Sequence, residues 1–205
     1  GNAVILPAGA DWNTIDRSTI VTTAVSYALY VNGADSNTVT GSYIQALSGT
    51  AVQLQSGSDF NAISLSTMIS NAAGGNALSL SASDGNTVTG SFMRNFPGSA
   101  VYLQAGSDRN TISYSMAVNN ASAYGAFNVS DGDTNTLTGD YIENPSGFAL
   151  LLFTNSDDNA VSLSTMIAGA AGNNALYISA SDRNQVTSSF MQNLTGDAAY
   201  LQNGA

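Results

Sequence analysis

Cysteine and histidine are both absent from this 205-residue sequence, and basic residues are scarce. The chain therefore forms no disulfide, lacks the thiolate and imidazole ligands of the usual zinc sites, and lacks the commonest general base. Its four basic residues are all arginine and stand against 14 acidic residues, which gives a net charge of −10. Nonspecific binding to nucleic acid depends on basic side chains, so a nucleic-acid partner is not expected.

Charged residues are also few, at 9% of the chain, whereas hydrophobic residues reach 43%. Such a sequence is too apolar to stay disordered. No apolar stretch approaches the roughly 20 residues of a membrane-spanning helix, so membrane insertion is not expected. Because the composition does not shift along the chain, we expect a single domain over residues 1–205. Strand-like segments reach both termini without a capping helix, which predicts a domain uncapped at both ends, as in a segment of a longer rod or a stacking subunit.

The dominant feature that is present is a repeat of 24 to 25 residues. Its anchor is an Asn followed two positions later by Ile, Val or Leu, and it occurs at Asn13, Asn37, Asn61, Asn86, Asn110, Asn135, Asn159 and Asn184. We expect each anchor to lie in a tight turn, in the left-handed or a similar conformation, and the eight to form a structural Asn ladder. Alternate anchors, 49 residues apart, begin similar segments such as NTVTGSYI and NTVTGSFM, so the duplicated unit is a pair of coils.

Apolar columns at fixed distances from the anchor predict three short strands in each coil. Segments of the pattern Ala-apolar-x-apolar precede the anchor, as in AVQL from Ala51 and AVYL from Ala100, and this alternation is typical of strands. No hairpin or helical pattern intervenes, so each strand must pair in parallel with its equivalent one coil away. The predicted fold is all-β, a parallel β-helix of about eight coils of 24 to 25 residues with three short strands per coil.

The whole chain resembles the parallel β-helix repeats of the pectin-lyase-like superfamily, including noncatalytic repeat proteins and autotransporter-type passengers. The shared signature is Ala-Val-x-Leu, then Ser-Asp-x-Asn-Thr-Ile/Val, then Ser-x-Ile/Met, as in AVYL from Ala100 and SDRNTI from Ser107. The resemblance implies a right-handed coil and an Asn ladder in a turn. The superfamily also includes polysaccharide lyases and hydrolases, so an enzyme has to be considered.

An Asp precedes every anchor by two positions, so that eight of the 14 acidic residues form one column. Carboxylates stacked about 4.8 Å apart repel one another, and something must offset that repulsion. One interpretation is that each Asp caps its own turn by accepting backbone N–H groups. The alternative is Ca²⁺ shared between coils, with the candidate ligands Asp59, Asp84, Asp108, Asp133, Asp157 and Asp182. The glycine-rich calcium nonapeptide is absent, so no bound metal or other cofactor is expected, with Ca²⁺ as the alternative.

Outward-facing columns supply candidate binding faces. Six positions after the anchor, every second coil carries an aromatic residue, namely Tyr43, Phe92, Tyr141 and Phe190. These side chains could contact a glycan or a partner chain, or could instead pack beneath the longer turns of the intervening coils. A sparser column on the first strand comprises Tyr30, Tyr102, Tyr177 and Tyr200. Thr pairs such as Thr38 and Thr40 form a broken array similar to the surface of ice-binding β-helices, although ordinary strand preference also accounts for it.

No catalytic residues are predicted. Polygalacturonase-like chemistry needs a His that this chain lacks, and a catalytic cleft normally interrupts a repeat with long unique loops, whereas these coils differ in length by only one residue. The expected function is that of a noncatalytic extracellular or cell-surface structural β-solenoid, such as a stalk, adhesin passenger or filament subunit. The alternative is a carbohydrate-binding or polysaccharide-cleaving β-helix, and the third hypothesis is an ice-binding solenoid. Expected partners are further copies stacked end to end, other surface proteins or glycans.

Overall fold

The computed structural model describes residues 1–202, which form 25 short strands and no helix. Sheet A contains β1 (Val4–Leu6), β4 (Leu29–Asn32), β7 (Val52–Gln55), β10 (Asn76–Ser81), β13 (Ser99–Gln104), β16 (Phe127–Ser130), β19 (Leu150–Phe153), β22 (Leu176–Ser179) and β25 (Ala199–Gln202). Sheet B contains β2 (Thr14–Asp16), β5 (Thr38–Thr40), β8 (Ala62–Ser64), β11 (Thr87–Thr89), β14 (Thr111–Ser113), β17 (Thr136–Thr138), β20 (Ala160–Ser162) and β23 (Gln185–Thr187). Sheet C contains β3 (Thr19–Thr22), β6 (Tyr43–Ala46), β9 (Thr67–Ser70), β12 (Phe92–Asn95), β15 (Met116–Val118), β18 (Tyr141–Asn144), β21 (Thr165–Ala168) and β24 (Phe190–Asn193).

Each strand pairs in parallel with the equivalent strands one coil before and one coil after it. The order of sheet A is therefore β1-β4-β7-β10-β13-β16-β19-β22-β25, and sheets B and C follow the same rule. The register is set by the repeat, so that Val52, Leu78 and Val101 are direct neighbours in sheet A. This arrangement confirms the predicted all-β parallel solenoid of about eight coils. Over residues 1–202, no helix is long and apolar enough to cross a lipid bilayer.

The core is made of the inward-facing columns of all three sheets. Leu54, Leu80 and Leu103 stack in sheet A and are essentially inaccessible to solvent, as is Ile112 in sheet B. Each buried side chain of this size stabilises the fold by about 1.5–3 kcal/mol relative to exposure. Because every coil covers the next, the core runs along the axis of the solenoid without interruption.

In each coil the turn between sheets A and B contains more than one residue in the left-handed region, and one of them recurs at a fixed position. That residue is the one immediately before the anchor Asn, for example Arg109 and Thr134, each with a φ of 55°. All eight anchors lie within residues 1–202, and none has a positive φ there. The prediction that the Asn itself adopts this conformation is therefore wrong. Because the preceding residue takes the left-handed conformation, the Asn keeps an ordinary one, and its side chain bonds to the neighbouring coil.

The turn between sheets B and C explains the two-coil period of the sequence. Its left-handed residue, four positions after the anchor, alternates between a large side chain and a small one. A Cβ added to Gly90 would lie 3.1 Å from Leu65, and one added to Gly139 would lie 2.8 Å from Tyr114. The large residue of one coil thus lies over the glycine of the next. A pair of coils is the smallest unit that provides both partners.

Candidate functional site

Two hydrogen-bonded columns run in opposite directions through the turn between sheets A and B. The backbone N–H of each Asp donates to Oδ1 of the Asp one coil earlier, as from Asp108 to Asp84 at 2.9 Å. The backbone N–H of each anchor Asn donates to Oδ1 of the Asn one coil later, as from Asn86 to Asn110 at 2.8 Å. Both patterns are continuous from the first coil to the eighth. Buried backbone donors in this turn are therefore satisfied by side chains of the neighbouring coils.

All six candidate calcium ligands belong to the Asp column. The first five accept the next coil's backbone N–H through Oδ1 at 2.7–2.9 Å, and Asp182 donates its own N–H to Asp157. The amides of the neighbouring coil, rather than those of the same turn, are thus the partners, because parallel stacking brings them to the carboxylates. Residues 1–202 contain no group of three or more His, Cys, Asp or Glu side chains that could hold a metal ion. The structure therefore does not assemble the candidate ligands into a calcium site.

Arginines add charge pairing at the rim of the Asp column. Arg109 Nη2 lies 2.6 Å from Asp84 Oδ2, and Arg183 contacts Asp158 through two hydrogen bonds of 2.7 and 2.8 Å. The Arg183 guanidinium holds the pKa of the Asp158 carboxyl below its ordinary value. These pairs are exposed to solvent, where an ion pair contributes little stability.

A long groove lies on the outer face of sheet A. Two cavities of about 720 and 730 Å³ share residues 73–76 and Gln104, so they form one depression along the sheet. Its floor runs from Gln53 in β7 to Tyr177 in β22. At about 4.8 Å per coil, those five steps give a length of about 24 Å. The depression is long enough to accommodate an extended ligand.

Aromatic side chains line this groove together with polar ones. Tyr102, Tyr124, Phe148 and Phe153 join Gln104 on its walls and floor. Towards the last coil the rings contact one another. Tyr177 stacks on Tyr200 at 5.8 Å and lies 5.3 Å from the tilted ring of Phe148, measured between ring centroids. Three members of the sparse column predicted on the first strand, Tyr102, Tyr177 and Tyr200, thus line cavities on this face.

Three buried asparagines hold the loops that wall the groove. Asn95 Nδ2 donates to the carbonyls of Ala72 and Gly75 at 3.0 and 2.6 Å. Asn119 and Asn144 hold the next loops in the same way, and both donate to the carbonyl of Tyr124. Backbone carbonyls that would otherwise be unpaired are satisfied by these amides, which fixes the loops against sheet A.

The aromatic column predicted as a ligand or partner face lies on the outer face of sheet C. Tyr43 and Phe190 are 37% and 54% exposed, whereas Phe92 and Tyr141 are half-buried between their neighbours. Between them stand Thr67, Met116 and Thr165. The four aromatics therefore share one face but do not touch the groove of sheet A.

The Thr array lies on the outer face of the remaining sheet, sheet B. Three hydroxyl pairs of its second column bond across coils, for example Thr89 Oγ1 to Ser113 Oγ at 3.0 Å and Thr138 Oγ1 to Ser162 Oγ at 2.8 Å. These contacts use hydrogen-bonding capacity that a water-ordering surface would offer to solvent. The array therefore has a role within the sheet.

The sequence matches the family model for the right-handed beta helix region over residues 27–191. That span is most of the chain, and it begins and ends within the stack of parallel coils. The chain belongs to the right-handed β-helix family. The right-handed coil that the resemblance implied is confirmed by this match. No curated protein matches the sequence.

Several solved structures are similar to this β-helix protein. The Agl-KA catalytic domain has 10% identity and a TM-score of 0.48, over 98% of this chain and 47% of that one, so the chain spans about half its length. PfbA, a surface adhesin of Streptococcus pneumoniae, has 10% identity and a TM-score of 0.37, over 98% and 72%. The alginate lyase from Paenibacillus sp. str. FPU-7 has 14% identity and a TM-score of 0.34, over 98% and 90%. Identities this low concern the fold and not the activity.

Sequence reasoning missed the groove of this β-helix protein and the asparagines that hold its walls. A signal was present, because Asn95, Asn119 and Asn144 all lie nine positions after an anchor. The same position holds Ser70 and Ala168 in other coils, so the column looked irregular. Ser70 nevertheless donates to the Gly49 carbonyl at 2.7 Å, so this position holds loops with more than one residue type.

Proposed function

We propose that this chain is a noncatalytic structural β-helix of the cell exterior, a rigid rod of the kind that serves in stalks and adhesins. The observation that carries the proposal is the continuity of the Asp and Asn columns through all eight coils. Each coil contacts only its neighbours, so these two columns bond every coil to the next along the whole stack. That property suits a spacer or a display scaffold.

The side chains supply little for covalent chemistry. The chain has no His and no Cys, and the Oδ1 atoms of the Asp column already accept backbone N–H groups. Three of its four arginines, Arg17, Arg109 and Arg183, contact carboxylates at 2.6–2.8 Å. General acid–base catalysis needs a side chain that is free to exchange a proton with the substrate, and these contacts already engage the Oδ1 atoms and three of the arginines.

The location and the lack of activity can be tested separately. Antibody labelling and protease treatment of intact producing cells should detect the chain before lysis. Incubation with a panel of neutral and acidic polysaccharides, with and without Ca²⁺, should yield neither unsaturated products nor new reducing ends. Labelling only after lysis would refute the external location, and product formation that scales with protein concentration would refute the noncatalytic role.

Binding of a linear, neutral glycan along the sheet A groove is the second candidate function. Tyr102, Phe153 and Tyr177 provide apolar ring faces, while Gln104 and the rim of the groove provide hydrogen-bonding groups. Sugar rings combine an apolar face with hydroxyls, so this mixture of side chains is complementary to them. The net charge of −10 repels acidic polymers, which favours a neutral ligand.

Calorimetric titration with neutral oligosaccharides of increasing length tests this candidate. Tyr102→Ala should weaken binding about tenfold, because loss of one stacking aromatic costs on the order of 1 kcal/mol. Tyr43→Ala is the matched control, since it removes a Tyr from the face of sheet C. Equal weakening by both variants, or no binding by the unaltered chain, would exclude the groove as a glycan site.

A further inference from the structure

The outer face of sheet C carries two columns of side chains, which together we call the sheet C face. One column contains Thr19, Tyr43, Thr67, Phe92, Met116, Tyr141, Thr165 and Phe190. The other contains Val21, Gln45, Ile69, Arg94, Val118, Glu143, Ile167 and Gln192. Exposed apolar side chains at Leu47, Phe96 and Leu194 extend it. Apolar and aromatic side chains are the majority on this face, with Thr and Gln among them, and an exposed apolar surface of this kind is typical of an interaction site.

Only two side chains on the sheet C face are charged, Arg94 and Glu143. Glu143 is the only glutamate of the chain, and its Oε2 accepts a hydrogen bond from the Tyr141 hydroxyl at 3.1 Å. The Arg94 guanidinium lies 4.9 Å from the Phe96 ring centroid. Its Nε is buried, and over residues 1–202 it has no hydrogen-bond partner. Arg94 is also the one arginine that contacts no carboxylate within that part of the chain.

The positions of these two charges are related by a simple symmetry. Arg94 is in β12 and Glu143 is in β18, one coil on either side of β15. A two-fold axis that lies between two facing copies and runs parallel to β15 would exchange those coils. It would place Arg94 of each copy opposite Glu143 of the other. Sheets packed face to face lie about 10 Å apart, a gap that an Arg and a Glu reaching towards each other can span.

The remaining side chains match under the same operation. Ile69 comes to lie opposite Ile167, Gln45 opposite Gln192, and Phe92 opposite Tyr141 in the second copy. Met116 would lie on the axis and face itself. The alternative axis, parallel to the solenoid, aligns each coil with itself and leaves Arg94 without a carboxylate. Charge complementarity therefore selects the antiparallel arrangement.

We infer that the sheet C face binds a second copy of this chain, antiparallel and face to face, in a closed two-fold dimer. Seven coils of each copy would overlap. The contact face would be about 29 Å long and about 20 Å wide, which is an area on the order of 600 Å² per copy. That area is at the lower end of the range for specific interfaces. The interface is isologous, so assembly stops at two copies. The groove on sheet A stays open, and the dimer does not depend on the proposed rod or glycan functions.

Charge reversal tests the pairing by sedimentation velocity over a concentration series of the whole chain. Arg94→Glu or Glu143→Arg alone would place like charges opposite each other twice in the dimer. Each should weaken dimerisation by at least about a hundredfold, since like-charge contacts cost several kcal/mol. The double reversal should restore the dimer. Gln104→Glu, which adds a charge to sheet A, is the matched control and should leave dimerisation unchanged. Circular dichroism of every variant monitors the fold.

Cross-linking tests the orientation, because the chain has no cysteine of its own. A short thiol-specific cross-linker should join two copies of the Met116→Cys variant. It should not join copies of Thr67→Cys, whose thiols would lie about 19 Å apart along the axis. Cross-linking of Thr67→Cys would overturn the antiparallel arrangement, because an axis parallel to the solenoid would bring that coil opposite itself. A chain that stays monomeric, that grows beyond two copies by end stacking, or whose double reversal fails to dimerise would overturn the inference.

Discussion

The turn between sheets A and B and the turn between sheets B and C use different side chains to bond one coil to the next. In the first turn, Asp and Asn recur in every coil, and each anchor Asn bonds to the next at 2.8–2.9 Å. In the second turn, five positions after the anchor, a Ser takes the same role, as when the Ser42 N–H donates to Ser66 Oγ at 3.1 Å. The sixth coil alone has an acid there, Asp140. The Asn column of the first turn is uniform, whereas the Ser column of the second turn contains one acid.

The difference shows what a stacked turn requires of its side chain. Ser115 Oγ donates to the carbonyl of Ser113 at 2.9 Å, and Ser91 N–H donates to it at 3.1 Å, so the hydroxyl uses both of its capacities. An ionised carboxylate accepts hydrogen bonds but cannot donate one. Asp140 Oδ1 accepts the Ser115 N–H at 2.8 Å, while Oδ2 is buried and unpartnered over residues 1–202.

Burial is the main reason that the pKa of Asp140 is raised, to about 7, and backbone hydrogen bonds from Ser115 and Thr138 oppose that rise in part. The neutral form is favoured because a buried charge without a counter-charge is costly. A protonated Oδ2 also regains the donor that the serines of this column provide. The Asp140 carboxyl therefore offers both a donor and an acceptor, as serine does, only when it is protonated.

Removing one asparagine from the uniform turn should have the largest effect. Asn110 is fully buried, accepts the Asn86 N–H, and donates to the Ser83 carbonyl at 3.0 Å. Asn110→Ala leaves both backbone groups unpaired, at about 1–3 kcal/mol each, so the free energy of unfolding should fall by about 4 kcal/mol. Urea denaturation followed by circular dichroism measures the change.

The turn between sheets B and C, here called the serine turn, gives the matched comparison for that experiment. Ser115→Ala removes a smaller side chain with one acceptor and one donor contact, and it should cost about 2 kcal/mol. Asn71→Ala, at an exposed position, should cost less than about 0.5 kcal/mol. If Asn110→Ala were no worse than Asn71→Ala, the column would not contribute to stability.

The second effect is a dependence on pH that comes from Asp140. Its pKa is raised in the folded state to about 7, so its contribution to stability is complete near pH 4 and is lost as the pH rises towards 7. Replacing it with the serine of the other coils, Asp140→Ser, should raise the free energy of unfolding by about 3 kcal/mol at pH 8. Near pH 4 the same substitution should bring little gain.

The comparison of Asp140→Ser with the unaltered chain at both pH values isolates this carboxyl from the other acids. Asp140→Asn, which has the same shape and no charge, should also stabilise the protein at pH 8. A stability difference that is the same at pH 4 and pH 8 would mean that Asp140 does not titrate in this range. In that case the serine would differ from it only in packing.

The same contrast explains how much of the fold was predictable. The strands and their register follow from columns such as Val52, Leu78 and Val101, because every coil must present the same apolar side chains to the same interior. The left-handed residue before each anchor was not predictable, since that position holds Arg109, Thr134 and Gly85 in different coils. Its side chain faces solvent, so the sequence there is almost free while the backbone is fixed.

The candidate site was less predictable than the fold. Tyr102 and Tyr177 could be placed on an outer column, but the groove depends on loops that fold back over sheet A. Those loops vary from coil to coil, and Asn119 and Asn144 hold them from a position that Ser70 and Ala168 occupy in other coils. The sheet C face behaves differently, because its two charges are single departures from an otherwise uncharged pattern. The proposed dimer rests on these departures from the repeat, whereas the fold follows from the repeat itself.

The smallest effect tests why large and small residues alternate in the serine turn. Gly139 has a φ of 69°, and a Cβ added there would lie 2.8 Å from Tyr114 Cδ1. Gly139→Ala should therefore lower the free energy of unfolding by about 1–2 kcal/mol, part from the backbone conformation and part from displacing the ring.

A double variant separates the two parts. With Tyr114→Ala already present, Gly139→Ala should cost only the conformational part, about 1 kcal/mol, because Tyr114 is exposed and its removal leaves open space. Ser188→Ala is the control, since that residue occupies the same position with a φ of 49° and already has a Cβ. If Gly139→Ala costs the same with and without the Tyr114 ring, contact between coils is not the origin of the alternation. A smaller cost in its absence would instead identify the pair of coils as a steric unit, which the 49-residue period of the sequence reflects.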